Sequence, residues 1–196
     1  LGALYKNMGD YSKAEPYYLE ALSIHKSVLG DTHPDYATSL NNLGALYSDM
    51  GDYSKAELYY LESLRIDKSV LGESHPDYAM SLNNLGSLYK NMGDYSKAEP
   101  YYLEALSIHK SVLGETHPDY AISLGNLGSL YITMGDYSKA EQYLLEALSI
   151  RKSVLGETHP NYATSLNKLG SLYNNMGDYS KAEPYYLEAL SIHKSV

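Results

Sequence analysis

The chain repeats itself every 42 residues: LGALYKNMGDYSKAEPYYLEALSIHKSVLGDTHPDYATSLNN, residues 1–42, returns as near-copies starting at Leu43, Leu85, Leu127 and Leu169. A fixed period of about 20 to 50 residues marks an array whose units pack mainly on their neighbours, because one unit is too small to bury its own apolar face. Residues 1–196 therefore read as a single array of about five units, the first and last incomplete. Opening on Leu1 rather than Met, the sequence reads as a piece of a longer protein.

Each unit punctuates itself twice. Helix A is expected to open at THPDYA, with Thr32 as N-cap, Pro34 in the first turn and Asp35 completing a capping box. It is expected to stop at Gly51, a residue type that tolerates a left-handed C-terminal conformation. Helix B then starts with Asp52 as cap and runs to Gly72, so the spacing predicts an all-α chain of paired helices. Pro16, Pro100 and Pro184 fall in the second turn of helix B, where a slight bend is expected.

At 100° per residue, Tyr36, Leu40, Leu43, Tyr47 and Met50 form one stripe of helix A, predicted to pack on helix B. Ala37 and Gly44 lie beside it, small enough for a close helix approach. The opposite side carries Thr38, Asn41, Ala45 and Ser48, small and polar, so Asn41 is expected to point away from the packing.

These residues resemble the tetratricopeptide pattern of W-x2-L-G-x2-Y, then A-x3-F: the chain has Leu40, Leu43, Gly44 and Tyr47, then Ala56 and Tyr60. Two departures are Leu in place of the Trp and the absence of a Pro closing helix B, which runs on through IDKSVLG. This longer unit resembles the repeats of kinesin light chains and related signalling proteins. The resemblance implies a right-handed α-α superhelix, a solenoid of tandem helix-turn-helix repeats, whose helices A line a concave groove that holds an extended peptide. Carried over by position, Asn41, Asn83 and Asn167 would bond a peptide backbone, with Gly125 breaking the ladder. The candidate groove set is Thr38, Asn41, Asn42 and Ser48 in one copy and Met80, Asn83, Asn84, Ser87 and Lys90 in the next. Ile122, Asn126 and Ser129, then Asn167 and Ser171, continue it.

The copies differ from one another mostly on this same side of helix A. Thr38, Met80, Ile122 and Thr164 share a register, as do Lys6, Ser48, Lys90, Ile132 and Asn174. Such variation fits two readings, a permissive exposed face or a binding site whose units meet different ligand segments. Lys6, Lys90 and Lys168 stand there against Asp49, so a neutral to mildly positive field is expected, suited to a neutral or acidic extended segment. Asn suits a peptide because its amide both donates and accepts.

The remaining chemistry points away from catalysis. The HPD ladder of His33, His75 and His117, with His159 in HPN, cannot converge on a metal, since equivalent residues of stacked helices lie at least about 8 to 10 Å apart. These residues read as loop-shaping. His25, Asp67, His109, Arg151 and His193 share one register of helix B, and that exchange of acid, base and imidazole is read as a wet edge. No phosphate loop, nucleophile elbow or H-E-x-x-H occurs, and no cofactor is expected.

A formal net charge of -9 opposes a nucleic-acid backbone. No apolar run is long enough to span a membrane. Zero cysteines exclude disulfides and thiolate chemistry and fit a cytoplasmic setting. Twenty-three Tyr with no Phe or Trp suit half-buried surfaces, where the ring packs and the hydroxyl stays wet. The leading expectation is a peptide-binding interaction scaffold. The alternative is a structural spacer or rod that stacks head to tail through exposed Tyr and Leu at its terminal faces.

Overall fold

The computed structural model describes residues 1–195, and among them are ten helices and no strand. They are α1 (Gly2–Asn7), α2 (Tyr11–Leu29), α3 (Pro34–Asp49), α4 (Tyr53–Val70), α5 (Pro76–Met92), α6 (Tyr95–Leu113), α7 (Pro118–Met134), α8 (Tyr137–Leu155), α9 (Pro160–Asn175) and α10 (Tyr179–Ser195). The fold class is all-α, a tandem helix-turn-helix repeat. Two compact units divide the chain, Leu1–Tyr101 and Tyr102 onward, with the boundary inside α6. In the first, α2 packs on α3, α3 on α4 and α4 on α5; in the second, α7 packs on α8, α8 on α9 and α9 on α10. Odd-numbered helices also meet, α3 with α5 and α7 with α9.

The expected helix A cap is displaced by one residue. His33, not Thr32, is the N-cap of α3, its Nδ1 accepting from the Asp35 N–H at 3.1 Å. His75, His117 and His159 repeat the contact at 3.1 Å. Pro34 explains the shift: it takes the first helical position and has no N–H, so the first donor needing a partner is that of Asp35, within reach of the preceding imidazole. Asp52 caps α4 as expected, accepting from the Lys55 N–H. Gly51 follows α3 with φ +78°, the left-handed region that lets the chain reverse into α4. Helix α2 continues through Pro16 without interruption.

Tyr36, Leu40, Leu43 and Tyr47 are buried as the wheel predicts, whereas Met50 is 41% exposed. Met50 is the C-cap of α3, past the last packed turn. Leu43 is fully buried, worth about 1.5 to 3 kcal/mol. Gly44 sits where α3 comes closest to α4: an added Cβ would lie 2.7 Å from the Tyr60 ring.

The tyrosines of helix A, such as Tyr36, Tyr47, Tyr78 and Tyr89, are more deeply buried than expected. Tyr47 is 3% exposed, stacks on Tyr59 at 5.5 Å between centroids, and donates its hydroxyl to Glu15 Oε1 at 2.5 Å. Tyr89 to Glu57 and Tyr173 to Glu141 repeat the bond. A phenylalanine would supply the ring without this link from helix A to the preceding helix B, and the hydroxyl's partner is a carboxylate rather than water. Burial first, and the Glu15 carboxylate second, push the Tyr47 phenol well above its ordinary range.

Candidate functional site

In the first unit, a cavity of about 250 Å³ opens between α3 and α5, lined by Pro34, Thr38, Asn41, Asn42, Asp67, Asp77, Met80 and Asn84. Five of these are residues the sequence placed in the groove. The spacing explains why they meet: Thr38, Asn41 and Asn42 share one face of α3, and Met80 and Asn84 lie on the matching face of α5.

Asn41 is half-buried and tied across the two helices. Its Nδ2 donates to Ser81 Oγ at 2.9 Å, and its Oδ1 accepts from Asn84 Nδ2 at 3.2 Å. The expectation that Asn41 simply points away from the packing is therefore corrected, because neighbouring helices A lie close enough for their amides to bridge. Asn83 departs further, at 4% exposure: the residue one register over from Asn84 turns toward the packed interior. Asn42 is exposed, while Ser48, Ser87 and Lys90 are half-buried and lie outside the cavity lining. Burial lowers the Lys90 pKa. Lys6 is spent on Asp49, 3.2 Å away.

In the second unit, Ile122, Asn126, Ser129, Asn167 and Ser171 are all half-buried. Lys168, in the register of Asn84, donates to the Gly125 carbonyl at 2.8 Å, and Ser129 Oγ donates to the same oxygen at 2.8 Å. Gly125 thus breaks the amide ladder, and the lysine takes the place of its side chain: a Cβ there would lie 3.1 Å from Lys168 Nζ.

The varied register of helix B is not a wet edge at Asp67, His109 and Arg151, whereas His25 is half-buried and His193 exposed. Asp67, His109 and Arg151 are 5%, 0% and 6% exposed. Each reaches the serine fourteen residues on, in the next helix A. Ser81 Oγ donates to Asp67 Oδ2 at 2.6 Å. His25 and Ser39 are bonded at 2.7 Å, His109 and Ser123 at 2.9 Å. Arg151 donates to Ser165 Oγ at 2.8 Å and to the Asn161 carbonyl at 3.1 Å. A serine hydroxyl donates or accepts, so one constant residue serves a carboxylate, an imidazole and a guanidinium. Burial raises the Asp67 pKa and lowers that of Arg151. The unvarying Ser39, Ser81, Ser123 and Ser165 were the signal that sequence reasoning passed over.

Among the described residues, no group of three or more His, Cys, Asp or Glu is placed to hold a metal ion, and no helix is long and apolar enough to cross a membrane.

Paired helices at a constant interval, with side chains bridging successive helices A, define a helical-repeat protein of the interaction-scaffold class. The tetratricopeptide repeat family model matches residues 1–69, 59–111, 77–153 and 134–195, and the chain belongs to that family. Similar solved structures include BtubC (BKLC) from P. vanneervenii, 31% identical with TM-score 0.78, covering 100% of this chain and 78% of that one. A Podosopora anserina protein described as a kinesin light chain with nearly identical TPR-like repeats is 22% identical with TM-score 0.73, covering 100% and 92%. The apo form of RapI is 20% identical with TM-score 0.75, covering 99% and 68%. No curated protein sequence matches the chain at a significant level.

Proposed function

We propose that this chain is a non-catalytic protein-interaction scaffold, acting in a cytoplasmic setting, that holds an extended peptide segment of a partner against the helix A face of its units. The supporting observation is the cavity between α3 and α5, bordered by amides with hydrogen-bonding capacity to spare. The Asn42 side chain makes no hydrogen bond among the described residues, and of the Asn84 amide only the Nδ2 is engaged. Such groups match the alternating C=O and N–H of an extended backbone. In the second unit, half-buried Lys168 suits a neutral or acidic stretch. Ten-residue peptide pools titrated into the ¹⁵N-labelled chain are expected to shift the side-chain amides of Asn41, Asn42 and Asn84. Shifts confined to the outer surfaces of α2 and α4 would defeat the reading.

A second reading, self-association, is favoured by one observation in the second unit. Tyr179 and Leu187 of α10 are 68% and 58% exposed, beside a hollow of about 270 Å³ lined also by Ala182 and Tyr186. A heterologous contact through that face would assemble copies head to tail. Sedimentation velocity is then expected to show mass rising with concentration, and Leu187→Glu to abolish the rise. A strict monomer at high concentration counts against it.

A further inference from the structure

We infer that the α3–α5 cavity is a pocket for a cationic side chain of the bound peptide, a lysine ammonium held by Asp67. The inference rests on the peptide-holding reading and adds to it the chemistry of one position of the partner.

Asp67 lines the cavity and is 5% exposed. Among the described residues its carboxylate takes one hydrogen bond, donated by Ser81 Oγ to Oδ2, and forms no ion pair with any Lys or Arg. A buried carboxylate is usually paired, since desolvation otherwise disfavours its charge. Here the fold has already removed most of its water, so an arriving cation regains charge–charge attraction in a weakly screened site without stripping the carboxylate again. Burial, the largest influence, and nearby Asp77 raise the Asp67 pKa, against the Ser81 hydrogen bond and His75, which lower it. An incoming cation would relieve both raising effects.

The arrangement belongs to this hairpin alone. The same register holds His25, His109, Arg151 and His193 in the other copies, none of them anionic. Asp77 stands at the cavity's rim and adds to the negative field, so the mildly positive field expected from Lys6 and Lys90 does not describe this pocket. Lys6 is paired with Asp49, and Lys90 does not line the cavity. Lysine is preferred over arginine because Ser81 already engages Oδ2, leaving one carboxylate oxygen open. A point-charge ammonium fits one oxygen, whereas a guanidinium fork wants two. The Asn41 and Asn84 carbonyl oxygens offer further acceptors, and Met80 offers an apolar wall for the methylene stem.

The test uses the whole chain, immobilised, with four sublibraries of capped ten-residue peptides whose central residue is Lys, Arg, norleucine or acetyl-lysine. The Lys sublibrary is expected to be retained roughly tenfold above norleucine and acetyl-lysine, the effect of one charge-assisted hydrogen bond. That preference should vanish in Asp67→Asn and in Asp67→His, the second carrying the residue found at this register in three other hairpins. Equal retention of Lys and norleucine by the parent chain overturns the lysine pocket and leaves peptide holding intact. Retention of no sublibrary fails the peptide reading itself. The pocket is then decided by titrating N-acetyl-lysine methylamide and following the Asn41 and Asn84 side-chain amides. Shifts present in the parent and lost in Asp67→Asn support it, and their absence from the parent overturns it.

Discussion

Replacing Gly44 by valine is expected to lower stability by about 3 kcal/mol, read as a fall in the urea midpoint at unchanged slope. The Cβ alone would stand 2.7 Å from Tyr60 Cδ1 and Cε1, closer than real side-chain carbons approach. Tyr60 is itself only 6% exposed, so its ring is held within the packed interior. Helix propensity works in the other direction, since glycine is the poorer helix former, but by less than about 1 kcal/mol. Overpacking therefore wins. The same close approach recurs at Gly128, 2.6 Å from Leu144, and at Gly170, 2.8 Å from Tyr186. It persists where leucine replaces tyrosine, so the constraint comes from the helix spacing and not from one ring. Gly51→Ala is the contrasting case: nothing lies within 4 Å of its Cβ position, but φ is +78°, and the expected loss of about 1 kcal/mol is conformational. A Gly44→Val chain as stable as the parent would show that α3 and α4 are not packed at this distance.

Arg151→Ala is expected to cost about 2 to 3 kcal/mol, while Arg151→His costs less than about 1 kcal/mol. Alanine leaves Ser165 Oγ and the Asn161 carbonyl without their donor and removes the packing of the arginine stem. Part of that loss is offset because a buried cation no longer has to be desolvated. Histidine restores the serine bond in the form seen between His109 and Ser123 at 2.9 Å. Comparing urea midpoints of the two variants separates a specific hydrogen-bonding register from a merely filled space. If alanine were tolerated better than histidine, the serine-centred reading of this register would be wrong.

Much of the fold was legible in the order of residues. The recurrence interval, the aspartate caps at Asp10, Asp52 and Asp136, the left-handed glycines and the stripe of Tyr36, Leu40, Leu43 and Tyr47 are local signals, fixed by neighbours within a few positions of one another. The exact helix A cap was misread because both Thr32 and His33 carry acceptors, and Pro34 decides between them only once its place in the first turn is known. The site was half legible. Periodicity named Thr38, Asn41, Asn42, Met80 and Asn84, which do gather at one cavity, but it gave no reason to include Asp67.

What the sequence determined by itself is which residues share a face, since that follows from the rise and twist of a helix. Only the tertiary structure decided which faces close over one another, and so which polar groups lose their water. Asn83 and Asn84 are adjacent in sequence, yet one is sealed and the other borders the cavity. Asp67 and Arg151 look like interchangeable surface charges until the next helix A settles over them and brings Ser81 or Ser165 within bonding distance. Burial is a property of pairs of elements, and no single helix contains that information.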